Sequence, residues 1–193
     1  IVEKLVAEGR DTTAISRIYN GVDLERFDEA TGGEAIRAGF GIPANAPLAV
    51  VVGRLEPEKG HPTLIEAWPV VHHHFTSAHL LVVGEGSERD RLEGLAAAHL
   101  RAEICCASVH FLGRREDVPQ ILAAADVVVM PSYREAQGLA IVEALAANLF
   151  WIVDNDEMHA KLVRRGHANV ERFSWNSTAA QYQTMYEDIV AHA

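Results

Sequence analysis

Short, uninterrupted apolar runs alternate along this chain with longer stretches in which apolar residues recur every three or four positions. The runs predict buried strands at residues 48–52, 79–83, 109–112 and 126–130. The intervening stretches predict helices at residues 60–75, 88–100, 118–125 and 138–147. Alternation of strand and helix is typical of a parallel sheet with helical crossovers, and apolar strands without polar alternation are covered on both faces. We therefore predict a doubly wound α/β fold.

Two single residues add local expectations within the predicted helices. Pro69 lies inside the first of them, where a ring without an N–H should kink or interrupt it. Ser87 precedes the second, and its hydroxyl is of the type that caps a helix N-terminus.

The short motifs of interest all follow the ends of predicted strands. They are Gly53-Arg54, Gly84-Glu85-Gly86, Gly113-Arg114 and residues 132–138. Ligands of such sheets bind beyond the carboxyl ends of the strands, so these motifs predict one binding site. Gly84 and Gly86 also match half of a dinucleotide fingerprint, but the third glycine and the later acidic residue are missing.

The composition is that of a soluble globular protein, with 193 residues of which 49% are apolar and 23% charged. A net charge of −10 argues against a nucleic-acid partner. No apolar run approaches the ~20 residues of a membrane span. The adjacent Cys105 and Cys106 are read as reduced thiols in a reducing compartment. The first residues lack an initiator Met and signal-peptide features, so we expect the chain to begin within a larger protein.

The segment Glu135-Ala-Gln-Gly-Leu-Ala-Ile-Val-Glu143 carries the most chemistry. A helix N-terminus attracts phosphate, because its first amides lack partners and its dipole is positive there. Gly138, which opens the helix, has no side chain to block a close approach. Carboxylates on either side can accept hydrogen bonds from hydroxyl groups. A nucleotide-sugar has phosphate in the middle and hydroxyls at both ends.

Four motifs together resemble the retaining glycosyltransferases of family four, the group 1 glycosyl transferases. They are Tyr19-Asn-Gly-Val-Asp23, Gly53-Arg-Leu-Glu-Pro-Glu-Lys-Gly60, Glu135 to Glu143, and Glu171-Arg-Phe-Ser-Trp175, in this order. The resemblance implies the C-terminal, donor-binding half of a GT-B fold, a doubly wound, Rossmann-like parallel sheet. It also implies retention of anomeric configuration, a nucleoside-diphosphate sugar as donor and no metal or other cofactor.

The resemblance also assigns roles to individual residues. Arg54 and Lys59 would contact the diphosphate, where cations offset the charge that grows on the leaving group. Glu135 would bind sugar hydroxyls and Glu143 the ribose. The resemblance gives six further donor-binding positions, namely Gly53, Gly84, Gly113, Arg114, Gly138 and Leu139. Turn chemistry explains the loop glycines among them equally well.

Two other motifs suggest metal binding but are better explained without it. Asp154-Asn155-Asp156 resembles a metal-binding Asp-x-Asp motif, yet its setting is closer to a helix N-cap region. His72, His73 and His74 are consecutive, and successive helical residues diverge by about 100°, so they cannot converge on one ion.

The predicted organisation has four parts. Residues 1–27 would be a remnant of the N-terminal domain, 28–47 a connector, 48–175 the donor-binding domain and 176–193 a C-terminal helix. Compared with the family, a portion of the sequence is missing near residues 148–153. Either the chain carries a true internal deletion, or the sequence joins two pieces. A third alternative is that residues 149–153 replace the lost strand.

We expect the whole protein to transfer a sugar to a glycan, lipid or small-molecule acceptor in the cytoplasm. The resemblance allows peripheral contact with the inner face of the membrane through the absent domain. The fragment alone would be inactive in transfer. Two alternatives remain open: a truncated or inactive nucleotide-binding module, and a sugar-nucleotide epimerase or phosphorylase of the same architecture.

Overall fold

The structure is a computed structural model, and it describes residues 2–12, 15–16, 18–28, 30–100, 108–133 and 170–191. Its strands are β1 (Leu48–Val52), β2 (His79–Val83), β3 (Val109–Gly113) and β4 (Val127–Val128). Its helices are α1 (Val2–Ala7), α2 (Leu24–Asp28), α3 (Gly33–Gly39), α4 (His61–His74), α5 (Arg89–Leu100), α6 (Val118–Ala124) and α7 (Trp175–Ala191). Short 3-10 turns cover Pro57–Lys59 and Glu171–Phe173.

The four strands form one parallel sheet in the order β3-β2-β1-β4, which confirms the predicted fold class. Leu48 lies opposite His79 and Val52 opposite Val83, so β1 and β2 pair over their full length. The chain moves outward from β1 through β2 to β3 and then returns to place β4 on the other side of β1. The sheet therefore has a topological switch point between β1 and β4, the place where ligands of such sheets bind.

Alternate residues of each central strand enter two separate hydrophobic cores. Leu48 and Val50 pack on one face with Ile121 and Leu122 of α6. On the other face, Ala49 and Val51 share a core with Ile65 and Trp68 of α4 and Leu92 of α5. Helices therefore cover both faces, which explains why β1 and β2 are apolar throughout rather than at every second position.

Three local expectations differ from the structure. Helix α4 runs through Pro69 to His74 without interruption, and Ile65 and Trp68, which precede the proline, are buried in the core. Helix α5 begins at Arg89, and the Ser87 hydroxyl donates to the Glu56 carboxylate instead of capping the helix. Strand β4 covers two residues instead of the five predicted.

The segment predicted as a connector contains helix α3. A Cβ on Gly33 would lie 2.7 Å from the carbonyl oxygen of Ala123, so the start of α3 touches the backbone of α6. Arg37 donates to the carbonyl oxygens of Ala124 (2.9 Å) and Ala46 (2.8 Å) and to the carboxylate of Asp126 (2.9 Å). These contacts fix α3 against the sheet and α6.

The N-terminal and C-terminal segments meet on the same side of the domain. Val22 forms a bridge with Ser174, and the Thr178 hydroxyl donates to the carbonyl oxygen of Tyr19 (2.9 Å). The rings of Tyr19 and Phe173 meet edge to face with centroids 5.1 Å apart. The division of the chain into a remnant, a connector, a domain and a terminal helix stays a prediction.

Candidate functional site

The loops that follow β1, β2 and β3 lie against one another at the carboxyl edge of the sheet. The Gly53 amide donates to the carbonyl oxygen of Val83 (3.0 Å), and the Gly84 amide donates to the carbonyl oxygen of Gly113 (2.9 Å). The Leu55 amide donates to the carbonyl oxygen of Glu85 (2.9 Å). The strand-end motifs predicted from the sequence are therefore neighbours in the fold.

Gly84 and Gly113 have backbone conformations that favour glycine, and Gly84 is also packed closely against backbone. Gly84 has a φ of 143°, and a Cβ there would lie 1.8 Å from the carbonyl oxygen of Gly53. Gly113 has a φ of 69°, and its Cβ would lie 2.6 Å from a carboxylate oxygen of Glu85. Gly84 accepts no side chain without a shift of the loop after β1, whereas at Gly113 it is the positive φ that disfavours a side chain, since the Glu85 carboxylate can turn away. Turn chemistry thus accounts for both glycines, and Gly84 also lines the pocket between the loops.

This pocket has a volume of about 280 Å³ and is open to solvent on one side. Four of the predicted site residues border it, namely Gly53, Arg54, Gly84 and Arg114. The pocket is also bordered by Glu85, which lies within one of the predicted motifs, and by Arg115 and Val118, which do not. Arg115 could have been suspected, since it follows Arg114 in the loop after a strand.

The two neighbouring arginines of this wall differ in their surroundings. Arg115 forms a two-pronged contact with Asp117 (2.8 and 2.6 Å), and that hydrogen bonding lowers the pKa of the Asp117 carboxyl. Arg114 is 83% exposed and lies 3.5 Å from an equally exposed Glu116. A contact this exposed is weak, so Arg114 can turn toward an anion in the pocket.

The loop after β1 carries the two predicted diphosphate-binding cations. The Arg54 guanidinium is 69% exposed and contacts Glu58 at 3.1 Å. Lys59 ends the 3-10 turn that follows. Glu56 accepts hydrogen bonds from the hydroxyl and amide of Ser87 (2.7 and 3.3 Å), which lower the pKa of the Glu56 carboxyl. The loop after β1 is thereby fastened to the loop after β2.

The segment after β4 is fastened to the other end of this loop, at the switch point. The Tyr133 amide donates to the carbonyl oxygen of Glu58 (2.9 Å), and the Tyr133 hydroxyl lies 2.7 Å from that of Thr63. Gly60 has a φ of 68°, and a Cβ there would lie 2.1 Å from the carbonyl oxygen of Pro131. The chain that leads to Glu135 therefore runs directly beside the Arg54–Lys59 loop.

His61, the first residue of α4, is a feature that the sequence did not reveal. The side chain is 2% exposed, and neither ring nitrogen has a hydrogen-bond partner in the described part of the chain. Burial and, to a lesser degree, the positive charge of Lys59 lower the pKa of His61, so the ring is neutral near pH 7.

A second pocket, of about 300 Å³, opens at the opposite edge of the sheet. Trp68 and Phe75 border it on the α4 side. Its one acidic wall residue, Asp126, already accepts hydrogen bonds from Arg37 (2.9 Å) and from the Leu48 amide (2.7 Å). A structural role therefore accounts for the charged group that the described residues contribute to this pocket, and the carboxyl edge is the better candidate site.

Four predicted site residues lie outside the described residues, namely Glu135, Gly138, Leu139 and Glu143. The motif Asp154-Asn155-Asp156, which was better explained as a helix N-cap region than as a metal site, lies outside them as well. Within the described ranges, no group of three or more histidine, cysteine or acidic side chains is placed to hold a metal ion. None of the helices in the same ranges combines the length and apolar character needed to cross a bilayer.

Comparison with known proteins identifies relatives of this chain. Residues 33–188 match the family model of the group 1 glycosyl transferases. The phosphatidyl-myo-inositol mannosyltransferase of Mycobacterium tuberculosis is 29% identical over 218 residues, covering 89% of this chain and 53% of the relative. A D-inositol 3-phosphate glycosyltransferase of Mycobacteroides abscessus is 35% identical over 70% of this chain and 30% of the relative. The matched part of this chain thus spans about half the length of the first relative and less than half of the second.

Solved structures of glycosyltransferases have the same fold. The glycosyltransferase of Rickettsia africae matches all of this chain and 62% of its own with a TM-score of 0.82 at 20% identity. Anabaena HepE, solved with UDP and glucose, matches 98% of this chain and 60% of its own with a TM-score of 0.77 at 21% identity. WaaG is 30% identical, with a TM-score of 0.60 over 73% of this chain and 38% of its own. The sequence match and the shared GT-B architecture together place this chain in the group 1 glycosyltransferase family.

Proposed function

We propose that this chain is the donor-binding half of a retaining glycosyltransferase, and that it binds a nucleoside-diphosphate sugar at the carboxyl edge of its sheet. The observation that carries the proposal is the contact between the loops after β1 and β4. The Tyr133 amide donates to the Glu58 carbonyl oxygen (2.9 Å), between Arg54 and Lys59 in the chain. Glu135 follows Tyr133 by two residues, and two residues of chain span at most about 7 Å.

In this proposal the cations and the carboxylate act on different parts of one donor. Arg54 and Lys59 bind the diphosphate and offset the negative charge that grows on it as the bond to the sugar breaks. Arg114, which is exposed and borders the same pocket, adds a third positive group. Glu135 accepts hydrogen bonds from the sugar and Glu143 from the ribose, while Gly138 and Leu139 offer backbone amides to phosphate.

Three further statements belong to the same proposal. The donor is bound without a metal ion or other cofactor, because cationic side chains and helix amides supply the positive charge. The acceptor is a glycan, lipid or small molecule, and the relatives named above act on inositol phosphates and an inositol lipid. The protein works in the cytoplasm, in peripheral contact with the membrane through the rest of the protein, and has no nucleic-acid partner.

Thermal denaturation with UDP, GDP and ADP tests the binding. A nucleoside diphosphate at 100 times its Kd stabilises the native state by about 2.7 kcal/mol, or roughly 5–10 °C in Tm for a chain of this size. Arg54→Ala and Lys59→Ala should each weaken binding about tenfold or more, since each removes a charge-assisted contact.

Arg91→Ala is the matched control for Arg54→Ala. Arg91 is 64% exposed, is paired with Glu88 at the end of the loop after β2, and does not line the pocket. In the complete enzyme, Lys59→Ala and Glu135→Ala should lower transfer more than tenfold, a loss of over ~1.4 kcal/mol of transition-state stabilisation. Unchanged binding and turnover in these variants would refute the assigned roles.

A further inference from the structure

Two sequence motifs that the proposed donor site does not use meet at a separate cavity. Val22, in the first motif, forms a bridge with Ser174, and its amide donates to the carbonyl oxygen of Phe173 (2.7 Å). The same pairing brings Gly21 against Trp175, because a Cβ on Gly21 would lie 2.5 Å from the indole ring. The indole therefore rests on backbone that carries no side chain.

The cavity beside this indole, the Trp175 pocket, has a volume of about 370 Å³. Its described walls come from residues 21–27, from the loop after β3 with the start of α6, and from Trp175. Arg115 and Val118 border this pocket and also the proposed donor pocket at the carboxyl edge. A molecule in the Trp175 pocket would therefore lie next to one in the donor pocket.

Trp175 offers an uncovered aromatic surface to this cavity. The residue is 59% exposed, although the backbone of Gly21 lies against its ring. The face of an aromatic ring is electrically negative. The hydrogens on the carbons of a sugar ring are slightly positive, and they form a flat apolar patch. A sugar ring can therefore stack on the indole.

The charges around the Trp175 pocket cancel one another. Arg26 and Arg115 contribute two positive charges to the described wall. Asp23 and Glu116 contribute two negative ones, so the sum is zero. The donor pocket differs, since its described wall has three arginines and one glutamate. A net-neutral wall attracts anions little, but it presents both hydrogen-bond donors and acceptors to a neutral molecule rich in hydroxyls.

Hydrogen bonds within the wall fix some of these polar groups before a ligand arrives. The Arg26 guanidinium donates to the carbonyl oxygen of Glu116 (2.7 Å), and the Arg26 amide donates to the Asp23 carboxylate (3.2 Å). The first of these bonds joins residues 21–27 to the loop after β3. An arginine has five N–H donors and a carboxylate about four acceptor positions, so capacity for a ligand remains. Groups that are already ordered lose less entropy on binding.

We propose that the Trp175 pocket is a carbohydrate-binding site, in which a neutral sugar ring stacks on the indole and its hydroxyls bond to the charged side chains of the wall. The volume lies in the range of small-ligand pockets, about 300–1,000 Å³. Because the pocket adjoins the donor pocket, the bound sugar is a unit of the acceptor, which is then a glycan. The acceptor role rests on the proposed function, whereas carbohydrate binding does not.

Saturation-transfer NMR tests the site with four neutral probes. They are methyl α-D-mannoside, methyl α-D-glucoside, N-acetyl-D-glucosamine and maltose, each titrated into the chain at millimolar concentration. The variants are Trp175→Phe, which keeps a smaller flat ring, and Trp175→Leu, which keeps an apolar side chain over Gly21 but no aromatic face. Tyr186→Leu is the matched control, since Tyr186 is a 60% exposed aromatic residue of α7 that does not border the pocket.

We expect at least one probe to bind, and Trp175→Leu to weaken that binding about fivefold, the effect of about one aromatic stacking interaction. Trp175→Phe should lose less, and Tyr186→Leu should change nothing. The affinities for UDP, GDP and ADP should be the same in all variants. Raising the ionic strength from about 0.05 to about 0.5 M should weaken nucleoside-diphosphate binding and leave sugar binding unchanged, because the Trp175 pocket has no net charge.

A second measurement uses the wild-type chain alone. The indole N–H resonance of Trp175 should shift as the sugar is added, while that of Trp68, which is 2% exposed, should stay in place. The Tm of each variant shows whether the fold is kept. Equal losses of sugar and nucleoside-diphosphate affinity, together with a lower Tm, would mean that Trp175 is purely structural and would overturn the inference.

The remaining outcomes separate this inference from the proposed function. The inference is overturned if no probe binds, if a nucleoside diphosphate displaces the bound sugar, or if Trp175→Leu binds the sugar as the wild type does. A chain that binds none of the nucleoside diphosphates but binds a sugar through Trp175 would refute the proposed function and the acceptor role. It would support the carbohydrate site itself.

Discussion

Arg37 of α3 is expected to be one of the most sensitive positions for stability in the described part of the chain. Its side chain is 12% exposed and joins two separate pieces of backbone, at Ala124 and at residues 43–46, and one carboxylate. The short contacts reach Ala124 (2.9 Å), Ala46 (2.8 Å) and Asp126 (2.9 Å), with a longer one to Pro43 (3.2 Å). Arg37→Leu keeps an apolar stem in place and removes all of them.

The magnitude follows from the number and the burial of these contacts. A hydrogen bond from a charged donor contributes about 1.5–3 kcal/mol, and contributions that share one group are not additive. Because Asp126 is 44% exposed, water can solvate it after the change, which reduces the loss on that side. We expect Arg37→Leu to lower the free energy of unfolding by about 3–5 kcal/mol, a large part of the stability of a typical domain. Arg37→Lys should lose about half as much, because one ammonium group cannot reach all the acceptors at once.

Urea denaturation followed by far-UV circular dichroism, and by the fluorescence of the buried Trp68, measures the change. The midpoint should fall for Arg37→Leu while the slope of the free energy with urea stays the same. Arg91→Leu serves as control, since Arg91 is 64% exposed and its loss should change stability by less than about 0.5 kcal/mol. A free energy of unfolding within about 1 kcal/mol of the wild type for Arg37→Leu would refute the reasoning.

Two more predictions concern pH and the loop glycines. Burial is the main cause of the lowered pKa of His61, His79 and His110, so the unfolded chain takes up protons before the folded one as pH falls below 6.5. Urea titrations at pH 7.5 and 5.5 should therefore show a lower free energy of unfolding at pH 5.5. The contribution of His61 is at most about 1.4 kcal/mol per pH unit, and that of the two partly exposed histidines is smaller. A free energy that does not change with pH would count against this. Gly84→Ala should destabilise by at least about 3 kcal/mol, because its Cβ would lie 1.8 Å from a carbonyl oxygen at a φ of 143°. Gly94→Ala, in α5 with nothing within 4 Å of the added Cβ, should instead stabilise by about 0.5–1 kcal/mol in the same titration.

The fold class could be predicted because the chain repeats one local pattern. Strands β1 and β2 have the bounds that were predicted, since both are continuous apolar runs buried on two faces. Helix α3 was missed because its sequence, Gly33–Gly39, has no buried residue and begins and ends with glycine. What fixes α3 is Arg37, whose acceptor Ala124 lies 87 positions further along the chain.

The candidate site was partly predictable for the same reason. Strand ends mark the carboxyl edge, so Gly53-Arg54, Gly84 and Gly113-Arg114 could be chosen as neighbours before any coordinates existed. Ser87 shows the limit, since its hydroxyl type indicated a cap and its partner is a carboxylate 31 residues away. The burial of His61 was hidden as well, because a histidine after Lys59-Gly60 has no pattern that distinguishes a core position from a surface one.

By itself, the order of apolar and polar residues determined the alternation of strands and helices and the parallel sheet. It also determined that the candidate site residues lie at the carboxyl edge of that sheet. These features depend on contacts that repeat within a few residues, and periodicity records such contacts directly. Only the tertiary structure decided that the chain turns back after β3 to place β4 beside β1, and that the Tyr133 amide donates to the Glu58 carbonyl oxygen across this switch point. Such pairings join residues 70 or more positions apart, and the choice of partner is made by packing and backbone geometry that no local pattern encodes.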